Sequence, residues 1–453
     1  MCIRDRARST YSYNNATLGG GVVGTFGHSS LIITNSTFAN NSAAFFGGVM
    51  YITKESSFII TNSTFINNSA SVYGGVMCTS ESSFNITNST FTNNGAPEYG
   101  GVMYISESSF NITNSTFINN SASVYGGVMY TFESSFNITN STFTNNSAAV
   151  AGGVMYTFQS SLNTISTIYS SNKADQYGGV MFTFGGSSHI ANSTFEHNLG
   201  SLYTFSSNLT FSGYTRFKNY MEPLNKTEDD VITRQEGGAI TSYQSRVLFT
   251  GVSSLLNNQA SDGGAMLVTE STLIMYGETA IANNTATNCN GGGIYLHQSN
   301  LEIIGNSKLN ISHNHAVSGG GIHASSSSIY VHERGTLQLI NNTAETNGGG
   351  MYLEVNPRLY LLKSELTCYN DKLLIFTGNH ANYGGAVYVA DDTNSGACSS
   401  TVECFIQTLA LYNYQLPSPL ICTKNIIFSA NTCLLYTSPS PRDATLSRMP
   451  SSA

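Results

Sequence analysis

Apolar residues along this chain fall in short runs separated by Asn, Ser and Gly clusters, and the runs recur in a fixed order. Gly-Gly pairs open at Gly20, Gly47, Gly74, Gly100, Gly126, Gly152 and Gly178, a period of about 26 residues. They resume after an irregular stretch at Gly237, Gly263, Gly291, Gly319, Gly348 and Gly384, at a longer spacing. Ahead of each pair stands an apolar residue followed three places later by Asn, from Phe38 and Asn41 to Phe195 and Asn198. The second half keeps the pattern from Leu255 and Asn258 to Phe428 and Asn431. Val, Ile, Thr, Phe and Tyr between turn residues predict strands. For the unit opening at Gly126 these are 128–132, 136–139 and 142–144, with a return loop from Asn145 to Val150. Three short strands per period, with no helical pattern between them, predict an all-β solenoid: one rung of a parallel β-helix per repeat.

Comparison between rungs predicts which side chains face inward. The residue after Gly-Gly-small is large and apolar, as at Met50, Met77, Met155, Ile240 and Met351, and is expected in the core. The next position, held by Tyr51, Cys78, Tyr104, Tyr130, Tyr156, His323 and Tyr352, then points outward. Phe136, Ile138 and Phe143 complete the core of their rung. The recurrent Asn is expected to tolerate left-handed backbone and to bond its equivalent in the next rung, and Gly-Gly to make a corner that a Cβ would obstruct.

Length and charge change the picture only by exclusion. The 453 residues are used by one array, with 10% charged residues and a formal net charge of -8. That balance argues against a nucleic-acid partner, which needs a Lys/Arg-rich face. No run of residues in this fragment is apolar for long enough to be a membrane span. The two ends, 1–6 and 433–453, resemble translated sequencing adaptor and are expected to be foreign, so the native start, any signal peptide and any anchor lie beyond this fragment.

The FxxN unit with Gly-Gly-Ala followed by Ile, Leu or Val resembles the repeat of the chlamydial polymorphic outer membrane proteins and related large animal proteins. The resemblance covers about Leu18 to Asn431 and departs from the family in using Gly-Gly-Val-Met in the first half. It implies a right-handed, pectin-lyase-like β-helix used for surface display and adhesion, and it brings no catalytic residues.

The organisation expected is therefore regular rungs over 7–198, an irregular rung with a polar insertion over 199–236, and diverged rungs over 237–432, with a Cys-containing insertion near 390–422. Glu228, Asp229 and Asp230 in the first insertion fit a solvated loop better than a Ca²⁺ site. Cys368, Cys398, Cys404 and Cys422 form an even set suited to local disulfides in an oxidising compartment, in a pairing left open. Their spacing does not suit zinc, and Cys78 is expected to be a spare thiol. Glu55, Glu81, Glu107 and Glu133 form a column too repetitive for a unique active site. His197, His313, His315, His297, His323 and His332 are expected at the surface. Asn-x-Ser/Thr sequons, among them Asn35, Asn62, Asn85, Asn88, Asn111, Asn137 and Asn192, suggest a secreted glycoprotein, although the repeat itself generates many of them.

The sequence thus predicts a non-enzymatic extracellular or cell-surface rod, with no catalytic, cofactor or metal residues and a cell-surface or matrix protein or glycan as partner. Its rival is a carbohydrate-active or glycan-binding β-helix whose acids, such as Asp229 and Asp391, lie in the insertions.

Overall fold

A computed structural model of the chain describes residues 3–219, 237–332, 334–354, 358–361, 374–390, 395–398 and 426–433. Successive repeats lie on one another as parallel rungs, and no helix occurs among the described residues. In the rung opening at Gly126, Met129–Phe132 and Ser135–Thr139 run end to end, then Thr142–Thr144 and Ser147–Ala148 follow across two further corners. Each pairs in register with the next rung: Met129 with Met155, Phe136 with Leu162, Phe143 with Tyr169 and Ala148 with Ala174. The three expected strands are present. The expected return loop contains a fourth, whose Ala148 is buried.

Corners explain why the sequence is rich in Asn, Ser and Gly. Glu133, Asn140 and Asn145 take left-handed backbone at φ 45, 49 and 55. Each is followed by a buried polar residue, Ser134, Ser141 or Asn146, that serves as acceptor for the rung before it. The backbone N–H of Ser108 donates to Ser134 Oγ at 3.1 Å, that of Ser115 to Ser141 Oγ at 3.2 Å, and that of Asn120 to Asn146 Oδ1 at 3.0 Å. Asn120 Nδ2 also donates to Asn146 Oδ1 at 3.0 Å and to the Phe91 carbonyl at 3.0 Å. The ladder Asn is thus fully bonded within the protein, as burial requires. The expectation that it takes left-handed backbone is corrected, since the left-handed residue is its predecessor, Asn145. At the Gly-Gly corner, a Cβ on Gly126 would sit 2.2 Å from the Met129 carbonyl oxygen and one on Gly127 2.1 Å from that of Gly153. No side chain fits there.

The core is one continuous interior built of columns. Phe117 and Phe143 stack at 4.7 Å and 5°, and Phe110 and Phe136 at 4.6 Å and 6°. Each buried side chain of this size contributes about 1.5–3 kcal/mol, so repetition along the columns holds the fold. Met129 faces the core as expected, but Val128 before it is equally buried, because the chain is still turning out of the Gly-Gly corner and strict alternation has not begun. The tyrosines expected to point outward are half-buried, and Cys78 and His323 in the same column are buried.

The stretch expected to be irregular begins as a regular rung. Leu202–Ser212 pairs residue for residue with Met181–Ala191, Tyr214–Lys218 stacks on Thr194–Glu196, and Asn219 Oδ1 accepts the Asn198 N–H at 3.1 Å. Its sequence departs from the repeat because Asn219 follows Phe217 by two places instead of three and a single Gly200 replaces the pair. The remainder, with Glu228, Asp229 and Asp230, lies outside the described residues. Ile3–Ala7, most of which reads as foreign, runs parallel to Ser30–Thr34 with a register shift between Ile3 and Arg6.

Candidate functional site

The first two strands of each rung meet at the Glu corner, and the bend leaves a groove of about 880 Å³ along successive rungs, bordered by Glu55, Glu81, Glu107, Glu133, Gln159 and their following serines. Like charges one rung apart, about 4.8 Å, require solvation or a partner. His28, in the same column, meets Glu55 at 3.2 Å, and further along Gln244 donates to Glu270 at 2.8 Å. At these two places a donor from a neighbouring rung complements the carboxylate.

A row of amides lines the strand beyond the bend. Asn111 Nδ2 donates to Asn85 Oδ1 at 2.8 Å, Asn137 to Asn111 at 2.8 Å and Asn163 to Asn137 at 3.1 Å. His189 ends the row between Asn163 Oδ1 at 2.9 Å and Ser212 Oγ at 2.7 Å. A second groove of about 370 Å³ runs beside this row, bordered also by Ile32 and Ile59. The strand before the bend carries tyrosines: Tyr104, Tyr130 and Tyr156 stack at 5.3 and 5.1 Å with nearly parallel rings. Their faces are used in stacking, so edges and hydroxyls meet solvent. Burial, aided by neighbouring tyrosines, pushes all three phenols up to about 12 and keeps them neutral hydrogen-bonding groups. A further aromatic file that sequence reasoning missed, Phe46, Tyr73, Tyr99 and Tyr125, immediately precedes the Gly-Gly pairs and stacks rung on rung at 5.4–5.7 Å. Its signal was the aromatic residue one place before the pairs at Gly47, Gly74, Gly100, Gly126 and Gly178.

The diverged half is different at the same place. Asp262, Asn290, Ser318 and Asn347 occupy the file before Gly-Gly, and the tyrosine column becomes Tyr295, His323 and Tyr352. His323 was expected at the surface and is 1% exposed, because it replaces a ring in a stacked column. Tyr295 meets it edge-on at 4.9 Å, Tyr352 lies at 4.6 Å, and Nε2 is 3.2 Å from Glu354 Oε2. Burial holds its imidazole below the ordinary range against the opposing pull of Glu354, and the same bond holds the Glu354 carboxyl low. His297 and His332 are only partly exposed, each with one buried ring nitrogen lacking a partner. His197 and His313 are exposed corner residues, and His315 contacts Glu345 at 3.4 Å. Cys78 is a buried thiol between Tyr51 and Tyr104, pushed up to about 12 by burial, which makes it a poor nucleophile. No group of three or more metal-ligating side chains converges among the described residues. Asp229, Asp391, Cys368, Cys404, Cys422 and the Cys398 side chain lie outside them.

A model described as the right handed beta helix region matches residues 8–167. The Chlamydia polymorphic membrane protein repeat matches 373–390, which holds Phe376, Asn379, Ala381, Gly384, Gly385 and Val387 in the expected order. This is a right-handed parallel β-helix repeat protein. No curated protein matches the chain. Among solved structures, this β-helix has a likeness to the crystal structure of a TibC-catalysed, hyper-glycosylated TibA fragment, at 13% identity and a TM-score of 0.22, over 82% of this chain and 100% of that one.

Proposed function

We propose that this chain is part of an exported rod at the cell surface that adheres to a cell-surface or matrix protein or glycan along the groove of its regular half. One observation carries the reading: the same carboxylate and the same amide recur on consecutive rungs along two adjoining grooves, beside a column of stacked tyrosines. Such an arrangement suits many weak contacts that add along an extended partner. Catalysis needs one unequal set of groups poised on one bond, and the repeated face offers equal sets. The chain is therefore read as a binder and not an enzyme. Binding of the purified chain to cells, matrix proteins and a glycan array tests this. Asn111→Ala with Asn137→Ala is expected to lower binding at least several-fold with an unchanged circular dichroism spectrum. Unaltered binding refutes the groove. Polysaccharide turnover that Asp229→Asn or Asp391→Asn abolishes refutes the non-enzymatic reading.

A further inference from the structure

Sequons in the regular half fall into columns with different surroundings. Asn85, Asn111 and Asn137 lie on the outer strand face, with their amides tied to one another at 2.8 Å. Asn62, Asn88, Asn114 and Asn140 stand instead at the left-handed corner after that strand, at φ 48–49. They are exposed, and their side-chain amides make no hydrogen bond to described residues. In every one of these triplets the middle Ser is buried and bonded, so the Asn is held at the tip of a fixed turn: Ser115 Oγ donates to the Thr113 carbonyl at 2.9 Å.

The corner itself does not demand this triplet. The same position is filled by Ser166 at φ 53 and Gly213 at φ 59, and the place of the sequon Thr is taken by Ile168 and Arg216. Asn and Gly both enter the left-handed region readily, so the backbone accounts for Asn or Gly followed by a ladder Ser. Thr two places on opens the next strand, which favours a β-branched residue, but Ile168 and Arg216 at the same place show that the strand does not require a hydroxyl there.

We propose that this corner column is an N-glycan acceptor of the protein, occupied on non-adjacent rungs, and that the strand-face sequons stay bare. A glycan on Asn111 would stand between amides about 4.8 Å above and below it and fill the groove. One on Asn114 projects from a corner at the far end of that strand. Neighbouring corners are also about 4.8 Å apart, which crowds two glycans and leaves room for them on every second rung. The glycans then border the groove without covering it.

The proposal rests on the export reading, and one experiment separates the two. The full chain is expressed behind a secretion signal in cultured animal cells. Released glycopeptides are treated with peptide-N-glycosidase in heavy-oxygen water, and occupied asparagines are read by mass spectrometry. Occupancy at Asn62, Asn88, Asn114 or Asn140, none at Asn85, Asn111 and Asn137, and an intact mass that admits no adjacent pair is the expected result. Thr116→Ala should remove any glycan at Asn114 and leave the melting temperature unchanged. A secreted chain with bare corners, with glycans on the strand face, or with neighbouring corners both filled overturns the column. Corner glycans on a chain retained inside the cell support the column and overturn export.

Discussion

The regular and diverged halves fill one backbone path with different chemistry. From Phe38 to Phe217 one core column is aromatic, with successive rings 4.5–5.2 Å apart. The same column is aliphatic at Leu255, Ile281, Ile311 and Leu339, and just as buried. The asparagine ladder passes through both, at 3.0 Å between Asn146 and Asn172 and 2.9 Å between Asn284 and Asn314. Stacked rings are one way to fill the interior; the bonded corners are common to both halves. What specifies the fold is therefore polar, and what fills it is interchangeable within limits of volume.

That conclusion fails first, if it fails, at the core. Phe117→Asp places an unpaired charge in a closed column and is expected to cost more than the roughly 3–5 kcal/mol of a buried Phe→Ala change, read by chemical denaturation. Ile311→Asp should cost as much. A mild effect in either half means that its column is not the interior. Next in size is Asn120→Leu, which strands the buried N–H and amide of Asn94 and the Phe91 carbonyl, at about 1–3 kcal/mol for each group left unpaired. Asn314→Leu should match it despite its aliphatic surroundings, and a marked difference between the two would show that the ladder is not shared equally. The smallest effect is conditional on pH. His323 titrates below its ordinary 6.5 in the folded chain, so both states are neutral above that value. As pH falls through 6.5 the unfolded chain takes the proton first, and stability declines towards the lower folded value. Asp262, His297 and Glu354 are the other titrating groups that act on or beside it. His323→Tyr restores the residue of the regular half. Melting temperatures between pH 8 and 5 should then fall less steeply than in the parent, and equal slopes would remove His323 as the cause.

The architecture was legible because the period is written in residues that cannot be exchanged freely. Gly126 and Gly127 stand where a Cβ would strike a carbonyl oxygen, and Phe143 with Asn146 marks the next corner. The asparagine ladder was legible in the recurrence of its residue, but the serine ladders were not. Ser134 and Ser141 look like surface turn residues, and only the rung beneath reveals that their hydroxyls are interior acceptors. The same limit hid Val128, His323 and the rung ending at Asn219, since burial there depends on what lies above and below rather than on neighbours in sequence. The candidate site was half visible: its glutamate column was evident, but the bend that makes a groove of it and the bonded amide row beside it were not.

The rung-to-rung bonds also set how this rod would bear load. Backbone and side-chain hydrogen bonds between rungs lie along the rod axis, so tension along the axis pulls on every bond of one interface at once. Tension on the chain itself instead peels a rung from its edge, a few bonds at a time. A freed repeat of about 26 residues can extend to about 90 Å at roughly 3.4 Å per residue, having occupied about 4.8 Å of rod. An attachment built this way lengthens in steps before it detaches, and each step dissipates the energy of one rung while the rest of the stack remains intact.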